Sequence, residues 1–91
     1  MNKNELIMQV AENAGLSKVA AAKAVDGVFE SIASSLKGGN DVRLVGFGTF
    51  LTVHRKATEG RNPRTGEKIQ IKAARLPKFK AGKGLKQQVA E

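Results

Sequence analysis

Hydrophobic residues near the start of the chain recur at the three- and four-residue spacing of one helical face: Leu6, Ile7, Val10, Ala11 and Ala14. Asn2 stands just before this stripe and Glu5 three positions after Asn2, the pattern of a capping box, and Gly15 supplies a stop. Ser17 opens a second helix running to about Lys37, with Ala21, Val25, Val28, Phe29, Ile32 and Leu36 on its apolar side. Gly27 within it costs up to about 1 kcal/mol relative to alanine. Lys37-Gly38-Gly39-Asn40 ends the helix, and the period then changes to two. Val42 and Leu44 alternate with charged neighbours, Gly46-Phe47-Gly48 reverses the chain, and Thr49 to Val53 reads as the next strand. Ile69, Ile71 and Ala73 alternate with Lys68, Gln70 and Lys72 as a third strand, and a short helix with Leu85 and Val89 follows from about Gly82. The predicted order is helix, helix, three antiparallel strands, helix, an α+β domain spanning residues 1–91. Residues 1–45 form its helical base and first strand, 46–76 the sheet, and 77–91 a C-terminal segment and helix.

The pattern breaks between His54 and Lys68, fifteen residues without a large apolar side chain. This stretch has nothing to contribute to a core. It carries five basic and two acidic residues, strand patterns flank it, and Asn62-Pro63-Arg64-Thr65-Gly66 at its centre is turn chemistry. A long β-hairpin arm over about 54–68 unites these facts; a flexible solvated loop is the simpler alternative. An isolated hairpin is marginally stable, so the expectation is that a bound polyanion orders it. Two-stranded ribbons fit DNA grooves, and arginine and lysine favour the negative potential of a narrow minor groove. Pro63 near the tip either shapes the turn or wedges between base pairs and kinks the duplex.

Composition sharpens this picture. The 91 residues contain no cysteine and one histidine, so a disulfide is excluded and a zinc site has almost no ligands. A domain this small is marginal alone, and pairing with a second chain is the expected source of further burial. Residues 1–45 carry five basic and five acidic side chains, whereas 46–91 carry eleven basic and three acidic ones, so the second half holds the whole net charge of +8. Such one-sided charge draws a polyanion to one face. The longest run free of Lys, Arg, Asp and Glu is the eleven residues from Leu44 to His54, against about 20 apolar residues for a membrane span. With no signal peptide pattern, the expectation is a soluble cytoplasmic protein that does not act on membranes.

Gly46-Phe47-Gly48-Thr49-Phe50, then Arg55, then Gly60-Arg61-Asn62-Pro63-Arg64-Thr65-Gly66 resemble the signature of the bacterial histone-like HU and integration host factor proteins. The resemblance extends to Ala14-Gly15-Leu16-Ser17 and Ala81-Gly82-Lys83 and so covers essentially the whole chain. It implies an intertwined dimer, of the chain with itself or with a paralogous chain, whose two arms embrace double-stranded DNA in the nucleoid. Phe47, Phe50 and Phe79 are then shared dimer core; read alone, they fit ordinary intrachain packing equally well. Arg55, Lys56, Arg61, Asn62, Pro63, Arg64 and Thr65 are the implied DNA-binding positions of the arm. Arg75, Lys80, Lys83 and Lys86 are those of the saddle and final helix. Thr58, where many members carry a basic residue, and Glu59 depart from the pattern and weaken the attraction of the arm for phosphate.

The expected function is largely sequence-independent binding, bending and compaction of DNA, with preference for nicked, gapped or bent duplexes. A site-specific bender of the integration host factor type is the nearest alternative, although the chain lacks an extended C-terminal tail. A small basic RNA-binding protein is another, disfavoured by four Phe and no Trp or Tyr to serve as stacking platforms. RNA remains a secondary partner. An enzyme is the weakest reading: His54 is the lone imidazole, no nucleophile–base pair stands out, and no catalytic residue, metal or cofactor is assigned.

Overall fold

The computed structural model describes residues 1–91. Helix α1 (Lys3–Ala14) begins where the Asn2 side-chain oxygen accepts a hydrogen bond from the Glu5 backbone N–H at 2.9 Å, and it ends on Gly15 in the left-handed region, φ 66°. Helix α2 (Lys18–Lys37) begins where the Ser17 hydroxyl accepts from the Ala20 N–H at 3.1 Å. Each cap satisfies one amide that the first helical turn leaves without a partner. The chain then forms β1 (Val42–Leu44), a turn in which Gly46 takes φ 80°, and β2 (Gly48–Arg55). The strands β3 (Thr58–Arg61), β4 (Lys68–Ile71) and β5 (Ala74–Ala81) follow, and α3 (Lys83–Ala90) closes the chain. No helix is long and apolar enough to cross a membrane.

The α+β expectation holds, with a different third strand. The sheet is antiparallel with order β1-β2-β5, while β3 and β4 pair only with each other. The expected strand at Ile69–Ala73 thus belongs to the arm, and the sheet strand runs through Pro77, inside the segment expected to be a C-terminal connection. Pro77 is tolerated because β5 lies at the sheet edge, where a missing N–H need not break the ladder. The arm therefore spans about 56–73 rather than 54–68. His54 and Arg55 remain in the sheet, paired with Arg75 and Ala74.

The β2–β5 ladder runs from Gly48↔Ala81 to Arg55↔Ala74, and the β3–β4 ladder resumes at Thr58↔Ile71 in the same frame. Sheet and arm are one long hairpin whose pairing lapses only at Lys56-Ala57 and Lys72-Ala73. Because the register never slips, each side chain keeps its face from the body outward.

A single chain encloses almost nothing. Only Ala21, Val25 and Gly48 are buried, while Phe47 is 46% and Phe79 38% exposed. The radius of gyration is 18.3 Å, against about 12 Å for a compact domain of this length. The accessible surface, 7617 Å², exceeds by about half what a compact monomer of this mass presents.

Gly48 is the tightest point of the sheet. A Cβ there would lie 2.5 Å from the Phe79 ring and 2.6 Å from the Lys80 carbonyl oxygen, whereas one on Gly27 meets nothing within 4 Å. Thermal denaturation should therefore show Gly48→Ala destabilised by about 1–3 kcal/mol. Gly27→Ala should gain up to about 1 kcal/mol, and equal behaviour of the two variants would contradict this packing.

Candidate nucleic-acid interface

The register divides the sheet into two faces. Directly paired residues in an antiparallel ladder share a face, so Val42, Leu44, Phe50, Thr52, His54, Arg75, Pro77 and Phe79 lie on one side. This side meets α2: Thr52, Arg75 and Pro77 line a groove with Ala33, Leu36 and Lys37. Phe79 stacks obliquely against Phe50 at 4.7 Å and Phe47 at 5.5 Å between ring centroids. The three phenylalanines thus form one cluster, and its exposed edges leave room for further apolar contact.

The opposite face points away from the helices and carries Arg43, Thr49, Leu51, Val53, Arg55, Ala74, Leu76, Lys78 and Lys80. Four cations, Arg43, Arg55, Lys78 and Lys80, therefore share a surface without an acidic side chain among them. The family resemblance implied DNA-binding roles for Lys80 and Arg55 and did not extend to Arg43 and Lys78, which share their face. Alternation across a half-buried strand was the signal that could have found both.

Arg75 lies on the helix-facing side. Its Nη2 donates to the Lys37 carbonyl oxygen at 3.0 Å, placing a guanidinium at the C-terminal end of α2, where the helix dipole favours positive charge. It ties the root of the arm to the helical base, apart from the four cations of the open face. Arg55 also works within the chain: its Nη2 donates to the Lys72 carbonyl oxygen at 3.1 Å, bridging the lapse between sheet and arm.

The arm tip is closed by its own hydrogen bonds. Asn62 N–H donates to the Glu67 carbonyl at 2.9 Å, and Gly66 N–H, with φ 71°, donates to the Asn62 carbonyl at 2.8 Å. The Asn62 Oδ1 accepts from the Arg64 N–H at 2.9 Å, and the Thr65 Oγ1 accepts from the Glu67 N–H at 3.3 Å. Pro63 sits exposed inside the first of these side-chain turns, and the Thr65 turn follows it. These four hydrogen bonds define the turn at the tip through local polar groups, without contact to the body of the chain.

Along the arm, Arg61 stands directly opposite Lys68, and Glu59 opposite Gln70. Like charges in direct cross-strand opposition repel, a cost that an anion between them removes. Lys56 lies in the pairing lapse, Arg64 at the tip, and Lys83 and Lys86 on α3, all exposed. The final helix is anchored beside the Gly46–Gly48 turn, where Gly82 N–H donates to the Phe47 carbonyl at 2.8 Å. The basic positions thus fall into three groups along one elongated body: arm, open sheet face and final helix. No group of three or more His, Asp or Glu side chains is placed to ligate a metal ion.

Comparison with known proteins agrees with this arrangement. A family profile described as bacterial DNA-binding protein matches residues 1–90. The chain is 58% identical over 89 residues to DNA-binding protein HRm of Rhizobium meliloti, covering 98% of this chain and 99% of that relative. It is 55% identical to DNA-binding protein HU of Geobacillus stearothermophilus, again over 98% of this chain and 99% of the relative. Among solved structures it is similar to Anabaena HU in a cocrystal with DNA, with TM-score 0.93 and 47% identity over 99% of this chain and 98% of the other. It is similar also to HU from Thermotoga maritima, with TM-score 0.68 and 35% identity over 98% of each chain. A match this long, carried by sequence and backbone alike, shows that the chain belongs to the HU-type family of bacterial DNA-binding proteins.

Proposed function

We propose that two copies of this chain, or this chain and a paralogue, form an intertwined dimer that binds double-stranded DNA and holds it bent. Catalysis has no part in this reading. Several observations support pairing: the exposed phenylalanine cluster, the wholly apolar recess of Leu6, Val10, Ala24, Val25, Val28 and Phe29, and the large surface of the single chain. Obligate dimers bury about 2,000 Å² or more, the scale of that excess.

The observation that carries the DNA-bending reading is the cationic arm with its self-supported tip. In this reading Arg55, Lys56, Arg61, Asn62, Arg64 and Thr65 follow the minor groove and Pro63 enters between base pairs. Lys80, Lys83 and Lys86 meet phosphates as the duplex curves over the body, and Arg75 holds the arm root in place. Affinity then comes from released counterions, with a slope of about −0.9 in log K against log salt for each phosphate neutralised. Bending through 40–90° costs about 1–6 kcal/mol, and a nick or gap lowers that cost. The minor groove distinguishes little beyond A·T from G·C, so sequence preference is weak. The nucleoid is the corresponding location, and RNA is a secondary partner through the same cations.

Gel-shift titrations over several salt concentrations should show tighter binding to nicked than to intact duplex and steep loss with salt. End-to-end fluorescence transfer on the bound duplex should show Pro63→Ala losing bend while keeping most affinity. Equal bending by that variant would remove the wedge from the account.

The tip turn generates a separate expectation. Thr65→Val removes the Oγ1 acceptor at constant shape, whereas Thr65→Ser keeps it. Bend per bound complex should fall for the valine variant and persist for serine, as measured by the same fluorescence transfer. Parity between the two would show that the hydroxyl does not position Pro63.

A further inference from the structure

The open sheet face contains more than cations. Between Lys78 and Lys80 at one end and Arg55 at the other lie Leu51, Val53 and Leu76. Val53 and Leu76 are directly paired across the strands, and Leu51 is paired with Lys78. Leu51 and Val53 are half-buried and Leu76 is 37% exposed. None belongs to the phenylalanine cluster, which lies on the reverse side, and the helix α2 covers that reverse side only. The fold thus leaves an apolar strip outside both the helical base and the aromatic cluster, edged by positive charge.

We propose that Leu51, Val53 and Leu76 form an apolar floor against which the sugar edges of the bound duplex pack. This inference rests on the DNA-binding reading above. Two features choose the occupant. Cations edging the strip, with no acidic side chain on the sheet portion of that face, complement a polyanion. The unbroken register from Arg55↔Ala74 to Thr58↔Ile71 also makes this face continuous with the arm face, where Arg61 and Lys68 outnumber the single acidic residue Glu59. A duplex lying along that surface brings its phosphates to the lysines and arginines and its deoxyribose carbons to the strip between them. Apolar contact releases no counterions, so the floor adds affinity that survives high salt.

The test compares the parent with the double variant Leu51→Gln, Val53→Thr, titrated with a short mixed-sequence DNA duplex at several salt concentrations. Affinity should fall about tenfold at every salt concentration, with the slope of log K against log salt unchanged. Adding a cation instead, by Leu51→Lys, should steepen that slope by about 0.9. Unchanged affinity of the double variant would overturn the floor while leaving DNA binding intact. Dissociation of the dimer, seen by sedimentation, would overturn it too, assigning the strip to a contact between copies. Should the double variant fail to fold, Val53→Cys decides, because the chain has no other thiol. Its modification rate should drop roughly tenfold on adding duplex, and an unaltered rate would overturn the inference. Failure of the parent itself to retain duplex at low salt would defeat the DNA-binding reading, a result distinguishable from all of these.

Discussion

One chain of this protein has more apolar surface than it is able to cover, and that constraint shapes the rest. Two helices and a three-stranded sheet enclose only Ala21, Val25 and Gly48. Phe29 on α2, Leu44 at the end of β1 and Phe47 in the following turn all remain open to solvent. Hydrophobic burial is the dominant favourable term in folding, and chain entropy opposes it with a comparable magnitude. In the proposed dimer, association supplies the burial that one chain lacks. A pair of chains also doubles the charge to about +16 on one body and gives a duplex two arms to lie between.

The second organising feature is a hairpin that keeps one register from the sheet to the arm tip. A slip of a single residue would move Lys78 and Lys80 onto the helix side and Phe79 outward. Local devices hold the frame: the crowded contact of Gly48 with Phe79, the Arg55 bridge to Lys72 across the lapse, and the Arg75 bond to the end of α2. At the far end the Asn62 and Thr65 side chains do for the tip what packing does for the body. Side-chain hydrogen bonds thus brace the arm at two points, its root and its apex.

Much of this was legible in the sequence because the signals are local. Asn2, Gly15 and Ser17 marked the helix ends, and the helical stripes marked the side that α1 and α2 turn inward. The polar run around Asn62 announced an arm, and Gly46-Phe47-Gly48 a reversal. What escaped depends on pairing partners. β5 has no clear alternation of its own and runs through Pro77 at a sheet edge, and Ile69 and Ile71 alternate as a sheet strand does although their partners are Gly60 and Thr58 in the arm. Arg75, grouped with the phosphate-facing cations by the family resemblance, lies on the helix-facing side with its paired residue His54. Lys78 and Arg43 join the candidate interface only when the two sheet faces are separated.

The dependence of folding on a second copy is open to direct measurement by denaturant unfolding over a hundredfold range of protein concentration. A chain stabilised by pairing has a midpoint that rises steadily with concentration, because mass action favours the dimer. A midpoint that stays fixed across that range, with a monomer in sedimentation, would show that one chain folds unaided and would contradict the pairing from which the DNA-embracing geometry is argued.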